Sequence, residues 1–262
     1  MNLAFRGGGD PISCSGLRDA FVRLDCEQAS LWALLTVETR GFGFLPDRRP
    51  KILFERHVFH RLTDGRFDSC PDLSSATPGA YEGGAAEYER LDRAAALHED
   101  AALRSASWGL GQIMGFNATR LRYPNVRAMI AAFVTSEDGQ LDGVCRFIED
   151  SAALHGALRR HDWNKLAFHY NGGAYAKNEY DARLRHAYER FGRHGCPDVD
   201  VRAAQAYLAY LGFDPQGIDG AKGPHTLNAL HRFQRQAGLP VDDVVDANTV
   251  DTLRQAFAAK RR

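Results

Sequence analysis

Apolar residues recur at helical spacing over 17–39, 86–104, 109–121, 126–134, 137–156, 161–170 and 175–191, and that spacing predicts a helix over each stretch. One run is out of keeping with the rest. In LWALLTVETRGFGFLPD, residues 31–47, Leu31, Leu34 and Leu35 stand at i, i+3 and i+4, and position i+7 is Glu38. A carboxyl group therefore shares the apolar face of its helix. Gly41 and Gly43 stop that helix soon after. The next stretch, GFGFLPDRRPKIL over 41–53, sets Gly, Pro and Asp between apolar residues and reads as a short β-hairpin or irregular flap. Residues 64–85, rich in Gly, Ser, Pro and Asp, read as a long ordered loop.

The pattern changes at GRHGCPD, 192–198, a turn-rich cluster that reads as a linker centred on 193–197. Beyond it, VRAAQAYLAYLGF has Val201, Gln205, Leu208 and Leu211 at helical spacing and Gly212 as a stop. GIDGAKGPHTLNAL and PVDDVVDANTVDTL then superpose with a shift of 23 residues, Asp219 on Asp242, Thr226 on Thr249 and Leu230 on Leu253. Each copy is a turn feeding a helix. Pro224 after Gly223 falls at a first helical position, where its missing N–H costs nothing, and Asp246 is placed to cap the second copy. The fold expected is mainly α: a large helical domain with a small β-hairpin or flap, then a small three-helix bundle.

Composition narrows the function. With 44% hydrophobic and 25% charged residues the chain is an ordinary globular protein, and 33 Lys+Arg against 33 Asp+Glu leave no net charge with which to attract nucleic acid. From Asp198 to Arg262 there are eight basic and eight acidic residues, so no polycation is hidden, and the tail Lys260, Arg261, Arg262 reads as solvated. No apolar run reaches the roughly 18 residues needed to span a bilayer. MNLAFRGGGDPISC has glycines where a signal peptide needs an apolar core, so the chain reads as cytosolic when made. Cys14, Cys26, Cys70, Cys145 and Cys196 are scattered, without a CxxC pair, and read as reduced structural thiols. His57 and His60 in RHVFH lack metal-ligand spacing. No metal and no cofactor are expected.

Chemistry gathers round Glu38. Burial beside Val37, Phe42 or Phe44 and the negative end of the helix dipole both disfavour its ionised form, and a glutamic acid protonated near neutral pH is what general-acid cleavage of a glycosidic bond requires. Spacing alone equally allows a carboxylate turned aside to Arg40 or solvent. In SWGLGQIMGFN, 107–117, the glycines bring backbone close to Gln112, whose amide can bond sugar hydroxyl or N-acetyl groups, while Ile113 and Met114 read as core. HYNGGAYAKNEY, 169–180, presents Tyr170, Asn171, Tyr175, Asn178 and Tyr180, which with a nearby Trp such as Trp108 suit carbohydrate: rings cover a sugar's apolar face and amides meet its hydroxyls. Asp47 and Glu55 are the candidates for a second carboxylate. Asp47 also reads as a turn residue, and Glu55, between Phe54 and Arg56, as a structural partner of an arginine.

Taken in order, VETRGFGFLPD, ILFERHVFHRLT, ASWGLGQIMGFN and FHYNGGAYAKNEYDARL resemble the phage-type N-acetylmuramidase domain of modular endolysins over residues 14–192. QAYLAYLGF, DGAKGPHTLNAL and FQRQAGLP resemble the three-helix peptidoglycan-binding domain, with VDD at 241–243 where such domains carry a D-G turn. The resemblance implies a lysozyme-like catalytic domain over 1–192, a linker over 193–197 and a peptidoglycan-binding domain over 198–262. It implies hydrolysis of the β-1,4 bond between N-acetylmuramic acid and N-acetylglucosamine, with Glu38 as general acid. Glu55 and His57 of FERH, Gln112 of GQIM, and Tyr170 and Asn171 of YNG would line or brace the cleft. Two other readings stand beside it: a lytic transglycosylase that leaves 1,6-anhydromuramic acid ends, and a wall-binding protein without activity. The expected partner is bacterial peptidoglycan, with neither nucleic acid nor membrane insertion. A monomer is expected, made in the host cytoplasm and released to the wall through a pore that a separate protein forms.

Overall fold

The computed structural model describes residues 5–39, 41–173 and 179–260. In chain order the elements are α1 (Cys14–Leu24), α2 (Gln28–Thr39), β1 (Ile52–Phe54), α3 (Arg56–Leu62), α4 (Ala86–Arg104), β2 (Ala106–Trp108), β3 (Ile113–Met114), α5 (Val126–Thr135), α6 (Glu137–Glu149), α7 (Ala152–Arg159), α8 (Trp163–Asn171), α9 (Tyr180–His194), α10 (Val199–Leu211), α11 (Pro224–Ala237) and α12 (Ala247–Lys260). Helices dominate among the described residues, as the apolar spacing requires. They form two compact units, Met1–Asp10 with Gly43–His155, and Pro11–Phe42 with Gly156–Arg262.

In the first unit the flap is a single antiparallel bridge, Phe44 to Pro50, closed by Lys51 N–H donating to the Gly43 carbonyl at 2.7 Å. It leads into a three-stranded antiparallel sheet, β1-β2-β3, with Ile52 opposite Trp108 and Ser107 opposite Met114. The helix expected over 109–121 is therefore not formed: its start is a turn between β2 and β3, followed by one 3₁₀ turn at Gly115–Asn117. Two fully buried polar residues of α6 hold these turns. Glu137 Oε1 accepts from Gly43 N–H at 2.8 Å, and Gln140 Oε1 accepts from Leu110 N–H at 2.7 Å. A β-carbon on Gly43 would overlap the Gln140 amide, so the glycine is there for close approach.

The stretch 137–156, read as one helix, is two. α6 ends at Glu149 and Ser151 opens α7, its Oγ accepting from Leu154 N–H at 3.2 Å. RHVFH, for which no helix is predicted, forms most of the short helix α3.

The second unit begins with a similar division, for the helix expected over 17–39 breaks at Asp25. That residue adopts a left-handed conformation (φ 45°), which Asp tolerates better than most residues. α2 is buried nearly all round from Ser30 to Leu35, a deeper setting than the one-sided apolar stripe suggests. Its end is a glycine stop: Gly41 has φ 79°, and its N–H donates to the Leu35 carbonyl at 3.3 Å. α2 packs most extensively on α9. The start of the run 175–191 lies outside the described residues, and the helix itself spans Tyr180–His194.

The last three helices carry the repeat as two copies of one clamp. In the first, Gln205 Nε2 donates to Asp219 Oδ1 at 3.0 Å and to Thr226 Oγ1 at 2.9 Å, while its Oε1 accepts from Asp219 and Gly220 N–H. In the second, Gln234 Nε2 donates to Asp242 Oδ1 at 3.0 Å and its Oε1 accepts from Asp242 N–H. In the first clamp Gln205 and Thr226 are buried and Asp219 is exposed; in the second Gln234 is buried, Thr249 is half-buried, and Asp242, Val244 and Asp246 are exposed. Gly212 and Gly238 close α10 and α11 in the left-handed conformation, Pro224 sits in the first turn of α11, and Asp246 caps α12 by accepting from Thr249 N–H at 2.9 Å. Of the basic tail, Arg261 and Arg262 lie outside the described residues.

Candidate active site

Glu38 stands in the last turn of α2, and its neighbours come from the two helices that flank HYNGGAYAKNEY. Tyr180, the first residue of α9, donates its hydroxyl to Glu38 Oε1. Asn171, the last residue of α8, hydrogen-bonds the carboxyl through its side chain. Arg183, one turn into α9, donates to the Val37 carbonyl at 3.2 Å and puts a positive charge near the carboxyl. Part of Glu38 meets solvent, yet the packing around its carboxyl withholds enough water to push its pKa from 4.5 to about 8; burial dominates over the opposing pull of Asn171 and Arg183. A carboxylic acid that keeps its proton at neutral pH can give it to a leaving oxygen.

Of the residues anticipated here, the structure brings Asn171 to Glu38 and places Tyr170 in the same final turn of α8. Tyr180 was legible only as one of several tyrosines, and Arg183 was not anticipated. The signal available for both was their i, i+3 spacing at the start of α9. Tyr175, Asn178 and Arg40 lie outside the described residues.

The remaining candidates belong to the first unit. Asp47 is engaged by its own turn, pairing with Arg49 Nε at 2.7 Å and Arg6 at 3.5 Å. Among the described residues Glu55 pairs with Tyr81 and His57 rather than with an arginine: its Oε2 accepts from the Tyr81 hydroxyl at 2.8 Å and lies 3.1 Å from His57 Nδ1. Burial, with Glu55 next, pushes the Tyr81 phenol up to about 12. Two expected sugar contacts are spoken for. Trp108 is fully buried in the core and donates its indole N–H to the Leu103 carbonyl at 3.1 Å, so a ligand cannot lie on its ring. Gln112 turns its amide inward, donating to the Gly109 carbonyl at 2.8 Å and accepting from the Ser107 hydroxyl at 2.8 Å. No disulfide joins any of the five cysteines. Among the described residues no group of three or more His, Cys, Asp or Glu is placed to hold a metal, and no helix is long and apolar enough to cross a membrane.

The chain has matches among known proteins. Residues 27–192 match the family model described as N-acetylmuramidase, and residues 197–253 match that of a putative peptidoglycan binding domain. The crystal structure of Burkholderia AP3 phage endolysin is similar at 41% identity and a TM-score of 0.64, over 72% of this chain and 74% of that one. No curated protein matches. The chain belongs to the N-acetylmuramidase family. It is a peptidoglycan-hydrolysing glycosidase built on the modular plan of an endolysin, a catalytic domain joined to a wall-binding one.

Proposed function

We propose that the chain hydrolyses the β-1,4 bond between N-acetylmuramic acid and N-acetylglucosamine, with Glu38 as general acid. The observation that carries this reading is a carboxyl held protonated to about 8 at the end of α2, in hydrogen-bond contact with Tyr180 and Asn171. Glu38 protonates the glycosidic oxygen as the bond breaks, the sugar ring passes through an oxocarbenium-like state, and water completes the cleavage. Tyr180 and Asn171 fix the carboxyl's direction, and Arg183 steadies the anion left after proton transfer. Asp47 and Glu55, the two carboxylates anticipated as partners of Glu38, belong to the first unit and are engaged there, Asp47 by Arg49 and Glu55 by Tyr81 and His57. N-acetylmuramidase membership supports hydrolysis between these two sugars, and likeness to a phage endolysin supports a lytic role at the wall.

Digestion of purified peptidoglycan, with mass spectrometry of the fragments, tests the reaction. Reducing muramic acid ends are the expected product. Anhydro ends would make the chain a transglycosylase, and absence of new ends a binding protein.

Residues 197–253 hold the wall, and the open second clamp is the surface offered to it. There Leu239, Val241 and Val244 are exposed, and Leu239 and Val244 line a hollow of about 270 Å³ together with Gln234, Asp242 and Thr249. Val244→Asp should weaken pelleting with insoluble peptidoglycan about tenfold, the effect of losing one good apolar contact. Unchanged pelleting would move the wall-contact surface elsewhere.

A further inference from the structure

We propose that Arg202, in the first helix of the wall-binding bundle, is a positioning residue for Glu38, and that the bundle is thereby a structural part of the catalytic mount. The inference rests on the reading of Glu38 as the acid. Arg202 is 1% exposed. Its Nε donates to the Gly41 carbonyl at 2.9 Å, and its Nη2 donates to the same oxygen. The guanidinium lies 5.5 Å from the Trp32 ring centre and 5.2 Å from that of Phe42, and Phe42 in turn meets Tyr210 of α10 at 6.4 Å.

Gly41 is the residue that turns the chain out of α2, three positions after Glu38. Carbonyls at a helix end carry partial negative charge and lack intrahelical donors, so a buried cation there satisfies both needs. The reverse also holds: a guanidinium taken out of water must find strong acceptors and ring faces, and Gly41, Trp32 and Phe42 supply them. α10 is buried continuously from Val201 to Leu208, more than the apolar face of a helix in a free-standing three-helix bundle needs. A module joined only by a flexible tether would leave Arg202 in solvent and the end of α2 uncapped.

Burial is the main cause of Glu38's retained proton, and that burial depends on where the last turn of α2 sits against Tyr180 and Arg183 of α9 and Asn171 of α8. Loosening the turn admits water to the carboxyl and lowers its proton affinity.

The test compares full-length Arg202→Met and Arg202→Lys with the parent on a soluble peptidoglycan fragment, with pelleting measured alongside. Methionine keeps the apolar stem and loses both donors; lysine keeps the charge and one donor. The expected result is kcat at least tenfold lower for Arg202→Met with KM within twofold, and the alkaline limb of its pH–kcat profile shifted to lower pH. Arg202→Lys should recover part of both, with pelleting unchanged in either variant. If Arg202→Met folds poorly, the limb position of Arg202→Lys decides the matter. An unchanged limb, or a loss of activity matching only the unfolded fraction, overturns the proposal. Glu38→Gln is run in parallel: if it stays active the acid is misassigned, whereas an inactive Glu38→Gln with unaltered Arg202 variants sinks the positioning role alone.

Discussion

Glu38→Gln should lower peptidoglycan hydrolysis by about 10³-fold, within the range general-acid catalysis supplies. The amide has the carboxyl's shape and can keep contact with Tyr180 and Asn171, but it has no proton to give. The same substitution should raise stability in alkali. In the folded parent the Glu38 pKa is about 8, against 4.5 for an ordinary glutamate, so between these values the unfolded chain gives up a proton that the folded chain keeps. The stability linked to that proton is complete below about 4.5 and is lost as pH rises through about 8. The melting temperature of the parent should therefore fall more steeply than that of Glu38→Gln over this interval, and its activity should decline above a limb near 8. Turbidity clearing and thermal melts at pH 5 and pH 9 check both. Lysis by the variant at the parent's rate would mean that another group is the acid.

Glu87→Ala should be the most damaging single change to the first unit. Glu87 is fully buried and accepts from Phe54 N–H at 3.1 Å, Glu82 N–H at 2.7 Å, Gly83 N–H at 3.0 Å and Arg90 Nη1 at 2.9 Å. Arg90, 1% exposed, also donates to the Phe54 and Asp72 carbonyls. Removing the carboxylate strands a buried guanidinium and three amides, at a cost of about 3–5 kcal/mol. That corresponds to a melting temperature lower by roughly 10 °C for a protein of this size. Denaturant unfolding measures it, and a loss below about 1 kcal/mol would show that water or neighbouring groups take over the stranded donors.

Local chemistry was the legible part of the fold. Gly212, the Gly223-Pro224 step, Asp246 and the Gly41 stop act where their conformational preferences place them, because caps and turns are decided within a few residues. What failed was pairing at a distance. GLGQIM carries helical spacing, but β2 pairs with β1, more than 50 residues earlier in the chain, and β3 then adds to β2. Asp25 interrupts an apolar rhythm that continues on either side of it. The site divides in the same way. Glu38 was legible as an acid out of place on an apolar helix, and Asn171 as part of a polar turn. Tyr180 and Arg183 were not, since nothing in the chain announces that α2 will lie along α9. Trp108 and Gln112 were of the right residue types for sugar, but the core and the local turn had prior use for them.

The two clamps of the C-terminal bundle divide labour. The buried Gln205 and Thr226, with Asp219, fasten α10 to the turn before α11, so change there threatens the bundle as a whole. Gln234 with Asp242 repeats the fastening at the surface, where Val241, Asp243 and Val244 project outward from a loop whose shape the buried amide already sets. The outer residues of that loop are thus free to vary at little cost to folding, and, on the wall-contact surface proposed above, such variation would retarget the protein from one kind of bacterial wall to another.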